Sequence, residues 1–317
     1  MSAFDENASV QACEVERLLL KHMRLPWLEF ALGSRVVRGS GFLTRWSEGQ
    51  WSEKLVVDSV MATRRYFALP YGPNGVAPSD NVRESEPYFE RLEKAGLGQV
   101  KRPDLLILRA ADRAAAQHLV EQLGGTLELP FTKEDDRRMR HLLSLAIAAV
   151  ECENSLWVAK NMPDFGKPLR PMARLGGNPG LPKGAVIPTV ILKEEDRAPL
   201  RAWQRANGVP IHIWHVFYDL AYGLALDTAE ALIAGGSVEP REQVYQAPGG
   251  AITKKALYRI AYHHAYHLGD VVVGPTLMAA HIMDRNGHVL PYVRFTGGKL
   301  RLAPEALETL ALRGRQQ

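Results

Sequence analysis

An α/β fold is what this 317-residue sequence predicts, and three observations predict it. Apolar runs of strand length recur at 104–108, 185–193 and 210–217. Segments with apolar residues at helical spacing alternate with them, at 110–123, 132–148 and 194–207. The strand 185–193, the helix 194–207 and the strand 210–217 follow one another directly, an order that implies a parallel pair joined by a right-handed crossover.

Taken in order, residues 9–25 carry Val10, Cys13, Val15, Leu18 and Leu19 at helical spacing and stop before Pro26. Residues 51–66 read as a helix opened by Ser52, with Leu55, Val56, Val60 and Met61 on one side. Tyr71 to Glu86 is rich in Pro, Gly, Asn and Ser and is expected to be a mobile loop, with a short helix over 87–95. After the strand 104–108, the helix 110–123 is closed by Gly124-Gly125. Thr132-Lys133-Glu134-Asp135 caps a helix reaching Ala148, and 149–153 are expected to be extended. The crossover helix 194–207 ends at Asn207-Gly208. Beyond Gly235-Gly236 the pattern changes: 252–267 read as an aromatic-rich helix, and 270–302 alternate short apolar runs with Gly and Asn turns. No repeat is visible, which argues against a solenoid. One domain over 1–317 is expected, with a core of about 50–235 and a C-terminal extension over 236–317.

Composition bounds the classes. The chain is 46% hydrophobic and 23% charged, ordinary for a globular protein. Thirty-nine basic against 35 acidic side chains leave a net charge of +4, compatible with a polyanionic partner but weak evidence for one. Two cysteines, Cys13 and Cys152, supply no disulfide framework and point to a reducing cytoplasm. The acidic start Met1-Ser2-Ala3-Phe4-Asp5-Glu6 lacks the pattern of a signal peptide. No run approaches the roughly 18 apolar residues of a membrane span.

The chemistry sits where carboxylates interrupt apolar runs. Asp104 precedes Leu105-Leu106-Ile107-Leu108, and Glu151-Cys152-Glu153 follows Leu145-Ala146-Ile147-Ala148-Ala149-Val150. An ionised carboxylate in such surroundings is costly unless something positive compensates it. In an extended segment the period of two puts Glu151 and Glu153 on one face and Cys152 on the other. Three carboxylates converging there form a hard-oxygen site suited to Mg²⁺, which polarises a phosphodiester and activates water. Glu151-x-Glu153 alone is also what a solvated strand edge looks like, and Pro-Asp occurs again at Pro163-Asp164 without a buried strand directly after it.

Pro103-Asp104 followed by Glu151-Cys152-Glu153 resembles the PD-(D/E)XK nuclease superfamily, in particular type II restriction endonucleases, in the variant with Glu at the last position. Gln50-Trp51-Ser52-Glu53-Lys54, Pro70-Tyr71-Gly72-Pro73 and Val100-Lys101-Arg102 also resemble restriction enzymes, the AccI-like group among them. By motif the resemblance covers about 50–235. It implies a central mixed sheet flanked by helices with N- and C-terminal extensions, and Mg²⁺-dependent, site-specific hydrolysis of double-stranded DNA. It further implies a homodimer on palindromic sites, a cytoplasmic setting, no membrane, and a cognate DNA methyltransferase in the same system. In its terms Asp104 and Glu151 bind the metal with the carbonyl of Cys152, Glu153 acts as base or second-metal ligand, and Glu53 is an accessory ligand. Two departures stand out: 46 residues separate Asp104 from Glu151, longer than is usual in the family, and the absent Lys leaves the general base open. The rivals are a nonspecific or repair nuclease on the same fold, and a non-catalytic DNA-binding protein whose acidic cluster pairs with nearby arginines.

Other candidates carry a plainer alternative. Glu53 also suits an exposed helix ion pair. Lys193, closing the strand 185–193, would assist the attacking water or simply be solvated. The Pro/Gly-rich loop 162–184 offers Lys167, Arg170, Arg174 and Lys183 to phosphates or base edges, or is an ordinary basic surface. Lys254 and Lys255, opening the expected helix 252–267, would grip a backbone. His263-His264-x-x-His267 has zinc-like spacing on a helix, although polar packing is the commoner use.

Overall fold

The computed structural model describes residues 40–73, 88, 90–97, 100–246, 252–283 and 289–314. Helix α1 (Ser40–Ala62) leads into β1 (Tyr66–Pro70) and β2 (Leu105–Arg109), then α2 (Arg113–Gln122), α3 (Arg137–Ser144) and β3 (Ala146–Asn154). A long loop holds the two-residue strands β4 (Arg170–Pro171) and β5 (Pro179–Gly180) before β6 (Thr189–Lys193) and α4 (Glu194–Asn207). There follow β7 (Ile211–Val216), β8 (Leu220–Ala225), α5 (Leu226–Ala234), β9 (Pro240–Gln246) and β10 (Ile252–Ala261). Strands β11 (Tyr266–Val273), β12 (Thr276–Met283), β13 (Val289–Thr296) and β14 (Lys299–Leu302) and helix α6 (Pro304–Gly314) complete the described chain.

The class is α/β: a mixed sheet of seven strands, in the order β1-β2-β3-β7-β8-β11-β14, flanked by helices. Every neighbouring pair in it is antiparallel except β3 and β7. Both faces are covered. Leu106, Leu108, Ala149 and Ile213 pack with Leu119 of α2, Leu142 of α3 and Leu200 of α4. Leu105, Ile107, Val150 and Trp214 pack instead with Val56 and Val60 of α1 and Leu310 of α6. Alternate side chains of β2 therefore enter opposite apolar layers, which is why its sequence is an unbroken apolar run. Among the described residues no helix is long and apolar enough to cross a membrane.

Four expectations change. The pair β6 and β7 is not hydrogen-bonded: β6 pairs with β10 in a second sheet, β6-β10-β9, and the parallel partner of β7 is β3. Helix α4 thus carries the chain from one sheet to the other. The expected helix 252–267 is the strand β10, a turn over Tyr262–His264 and the start of β11. Leu257, Tyr258 and Ile260 are all buried, so neighbours on both sides of the strand decided against a one-faced helix. The expected helix 132–148 is only α3, capped by Asp136, whose Oδ1 accepts from the backbone N–H of Arg138 at 2.8 Å. Ala146–Val150 are fully buried in β3, where sheet pairing overrides the helix propensity of alanine. Lastly, α1 begins at Ser40 and ends at Ala62, so Tyr66 belongs to β1. The segment 9–25, Cys13 and most of 71–86 lie outside the described residues. The stretch beyond 236 supplies β11 and β14 to the main sheet.

Candidate functional site

Asp104 immediately precedes β2, and the antiparallel register Leu105↔Val150 sets it across from Glu151. Its Oδ2 accepts the backbone N–H of Cys152 at 2.8 Å. The segment before it is anchored by Arg102, a buried guanidinium that donates to the carbonyls of Leu129 at 3.0 Å and Thr132 at 2.9 Å. On its other side the backbone N–H groups of Tyr71 and Gly72 donate to the Asp104 carbonyl at 2.8 and 3.2 Å.

Strand β3 divides as its period requires. Cys152 packs into the apolar layer under α1, while Glu151 and Glu153 point to the opposite face. There they meet Asp196, from the first turn of α4. One carboxylate oxygen from each of Glu151, Glu153 and Asp196 lies within 4.8 Å of the others, an acidic cluster able to hold a metal ion. Glu151 is buried and its Oε2 has no hydrogen-bond partner. A buried, unsatisfied carboxylate oxygen is what an oxygen-liganded cation would satisfy, so these residues fit such a group.

Two lysines enter the cluster. Lys101 forms an ion pair with Oε1 of Glu151 and stands 3.8 Å from Asp196. Lys193, from the end of β6, pairs with Glu153 at 2.6 Å. Burial alone lowers the pKa of each ammonium, but the carboxylates outweigh it: Glu151, Asp104 and Asp196 raise Lys101, and Glu153 raises Lys193. Both are held as cations. Burial raises the pKa of Asp104, with Glu53 adding to it, and raises that of Glu151, with Asp104 adding to it. Glu53, on α1, is pushed up to about 7 by burial and by the charge of Glu151, which places it in the same electrostatic group. Five carboxyl groups thus face two ammonium groups, and the raised pKa values of Glu53, Asp104 and Glu151 express a cost of crowding and burial that a divalent cation would relieve.

Asp104, Glu151, Glu153 and Lys193 come together, with Glu53 behind them. Of the expected basic contacts, Arg174 lines a cavity that also contains His215, and the others lie apart from the cluster on the surface. Lys167 pairs with Asp164 at 2.6 Å, Arg174 with Glu239 at 2.8 Å, Lys254 with Glu242 at 3.3 Å and Lys255 with Glu195 at 2.5 Å, while Arg170 and Lys183 are exposed. Lys254 and Lys255 lie on β10, not on a helix. The expected zinc geometry is absent, because His263 and His264 sit on a turn and His267 on β11. His263 Nε2 contacts the Lys167 carbonyl and His267 Nε2 contacts Asp270.

Three residues escaped the sequence. Asp196 belongs to Glu194-Glu195-Asp196, an acidic first turn that looks like ordinary support for a helix dipole. Lys101 stands three residues before Asp104 and could have been weighed for that proximity alone. His215, on β7, pairs in register with Glu153; nothing in Ile211-His212-Ile213-Trp214-His215 distinguishes it from a core residue. Compared with known proteins, the chain matches no family model, no curated protein and no solved structure.

Proposed function

We propose that the protein is an Mg²⁺-dependent endonuclease that hydrolyses phosphodiester bonds in double-stranded DNA at defined sites, as the type II restriction endonucleases of the PD-(D/E)XK superfamily do. One observation carries the proposal: Pro103-Asp104, at the start of β2, lies across from Glu151-x-Glu153 on the adjacent antiparallel strand β3, where Oε2 of the buried Glu151 has no partner. The order of elements supports it. Helix α1 and the strands β1, β2 and β3 are followed, after the β4–β6 segment, by α4 and a strand parallel to β3. The parallel partner of that strand is β3 itself, not β6, the strand that the sequence pattern paired with it.

Glu151, Glu153 and Asp196 would hold the ion, with Asp104 beside them. A bound Mg²⁺ supplies positive charge that polarises a phosphoryl oxygen. The chain itself does the rest. Lys193 delivers an ammonium to Glu153, from a different strand, where the motif lacks its own lysine. Held as cations, Lys101 and Lys193 compensate the incoming phosphate and orient water; neither is free to remove a proton. Water attacks phosphorus in line, the bond from phosphorus to the 3′ oxygen breaks, the attacking water's proton passes to solvent, and the 3′ oxygen takes a proton from solvent. The surface ion pairs of Lys167, Arg174, Lys254 and Lys255 are worth little each and exchange readily for DNA phosphates.

Incubation of plasmid DNA with the full chain, in Mg²⁺ and in EDTA, tests this. Discrete fragments that require Mg²⁺ are expected. A smear would indicate a nonspecific nuclease, and intact but retarded DNA a binding protein without cleavage.

A further inference from the structure

Next to the carboxylates lies a cavity of about 440 Å³, and the buried His215 is part of its lining. His215 is fully buried, yet neither ring nitrogen has a hydrogen-bond partner. Its ring lies over Phe217 at 4.6 Å between centroids, near parallel. A buried imidazole leaves both nitrogens unpaired only at a cost, which a ligand donor or acceptor reaching either one would reduce. Burial and the nearby Lys193 charge hold the ring neutral, so it offers one of each.

The cavity and the acidic cluster share their strands. His215 is the register partner of Glu153, Ser155 of the lining follows Glu153 by two residues, and Ile191 of the lining precedes Lys193 by two. With a period of two along a strand, His215 and Ile191 share the faces that carry the cluster, and Ser155 directly follows the end of β3. Ile191, Leu181 and Val238 supply apolar lining, and Thr189 lines the cavity beside them. The lining also holds the exposed Arg241, Arg259, which faces Ile191 across the β6–β10 pair, and Arg174, paired with Glu239 at 2.8 Å. Trp157, half exposed, offers an aromatic face at the edge.

A buried imidazole with unpaired nitrogens, apolar side chains in the lining and three arginines, one of them paired with Glu239, suit one ligand class: a nucleobase held by its edge with its phosphate against the guanidinium groups. The volume falls in the range of small-molecule sites. The geometry points to a nucleobase-binding site, which, resting on the nuclease proposal, receives a base turned out of the duplex beside the phosphodiester that is cut. His215 would read the edge of that base.

The test has two arms. In the first, the four deoxynucleoside 5′-monophosphates are titrated against the full chain, followed by the fluorescence difference between wild type and Trp157→Phe and by saturation-transfer NMR. Binding of at least one is expected, abolished by Thr189→Trp, which fills the cavity from its lining, and weakened about tenfold by His215→Leu. Circular dichroism confirms that both variants fold. In the second arm, once plasmid cleavage has located the cut, duplexes carrying a single unpaired base at each flanking position are compared with the paired duplex in Ca²⁺. Turning out an unpaired base costs least, so one position should bind about tenfold tighter, a gain lost in Thr189→Trp.

The outcomes separate the two proposals. Cleavage without mononucleotide binding and without any unpaired-base gain overturns the base site while the nuclease stands. Mononucleotide binding lost in Thr189→Trp supports the base site even if plasmid stays intact, an outcome that overturns the nuclease instead. Mononucleotide binding that survives Thr189→Trp places the ligand elsewhere and overturns the base site.

Discussion

Glu151 combines three properties at one residue: burial, an ion pair to Lys101 on one oxygen, and no partner on the other. Glu151→Gln keeps the shape and removes the charge, and Asp196→Asn does the same at the third corner. Each should lower Mg²⁺-dependent cleavage by on the order of a hundredfold, because a charge aimed at the reacting centre is lost. Cleavage rates over a Mg²⁺ titration check this; unaltered cleavage by Asp196→Asn would remove Asp196 from the ligand set. A second residue-scale prediction lies away from the site. Glu48, on α1, is buried, and burial raises its pKa to about 7 from 4.5 despite the opposing charge of Arg45. A carboxyl raised in the folded state stabilises relative to higher pH while it stays protonated, and that stability is lost as pH rises from about 4.5 through about 7. Glu48→Gln should therefore be near neutral at pH 4.5 and stabilising at pH 8.5, by at most about 3 kcal/mol. Urea unfolding at the two pH values measures the difference; an equal effect at both would mean Glu48 does not titrate in this way.

The turn after β1 holds the Pro-Asp segment at the scale of elements. A Cβ on Gly72 would lie 2.4 Å from the Pro103 carbonyl oxygen, a backbone atom that cannot rotate aside. Gly72→Ala must therefore push β1 away from the approach to β2, and with it the hydrogen bonds that fix Asp104. A loss of about 1–3 kcal/mol is expected, typical of overpacking, together with a fall in cleavage larger than that of a surface variant. Chemical denaturation and plasmid cleavage on the same preparation check both; wild-type values for each would show that the turn relaxes freely. Lys193 plays the corresponding part for the second sheet, because its pair with Glu153 ties β6 to β3 across the site.

At the scale of the whole molecule the excess of carboxyl over ammonium groups predicts thermal stabilisation by divalent cations. A ligand that binds only the folded state adds RT ln(1 + [L]/Kd), so saturating Mg²⁺ or Ca²⁺ should raise Tm by several degrees, and the rise should vanish in Glu151→Gln. Differential scanning fluorimetry with and without EDTA measures it; an identical shift in the variant would place the cation elsewhere. Assembly follows from the substrate proposed. A two-fold DNA site is matched most simply by a two-fold protein, so a homodimer of twice 35.2 kDa is expected on DNA. Light scattering that returns one chain mass, both free and DNA-bound, would contradict it.

Local chemistry sufficed for a good part of this protein. Asp104 beside an apolar strand, Glu151 and Glu153 on one face with Cys152 on the other, and helix α4 with its glycine stop were legible because each depends on neighbours within a few residues. Three features were not legible, for one physical reason. Lys101 to Glu151, Asp196 to Glu151 and His215 to the cavity are contacts between residues at least forty positions apart, apart from the final case, which depends on which strand pairs with which. Pairing also decided that 252–261 is a strand: its aromatic and aliphatic residues suit either structure in isolation, and only burial on both sides selects the extended form. Sequence determined which groups are available and on which face of their own element they stand; the packing of two sheets through α4 decided which of those groups meet.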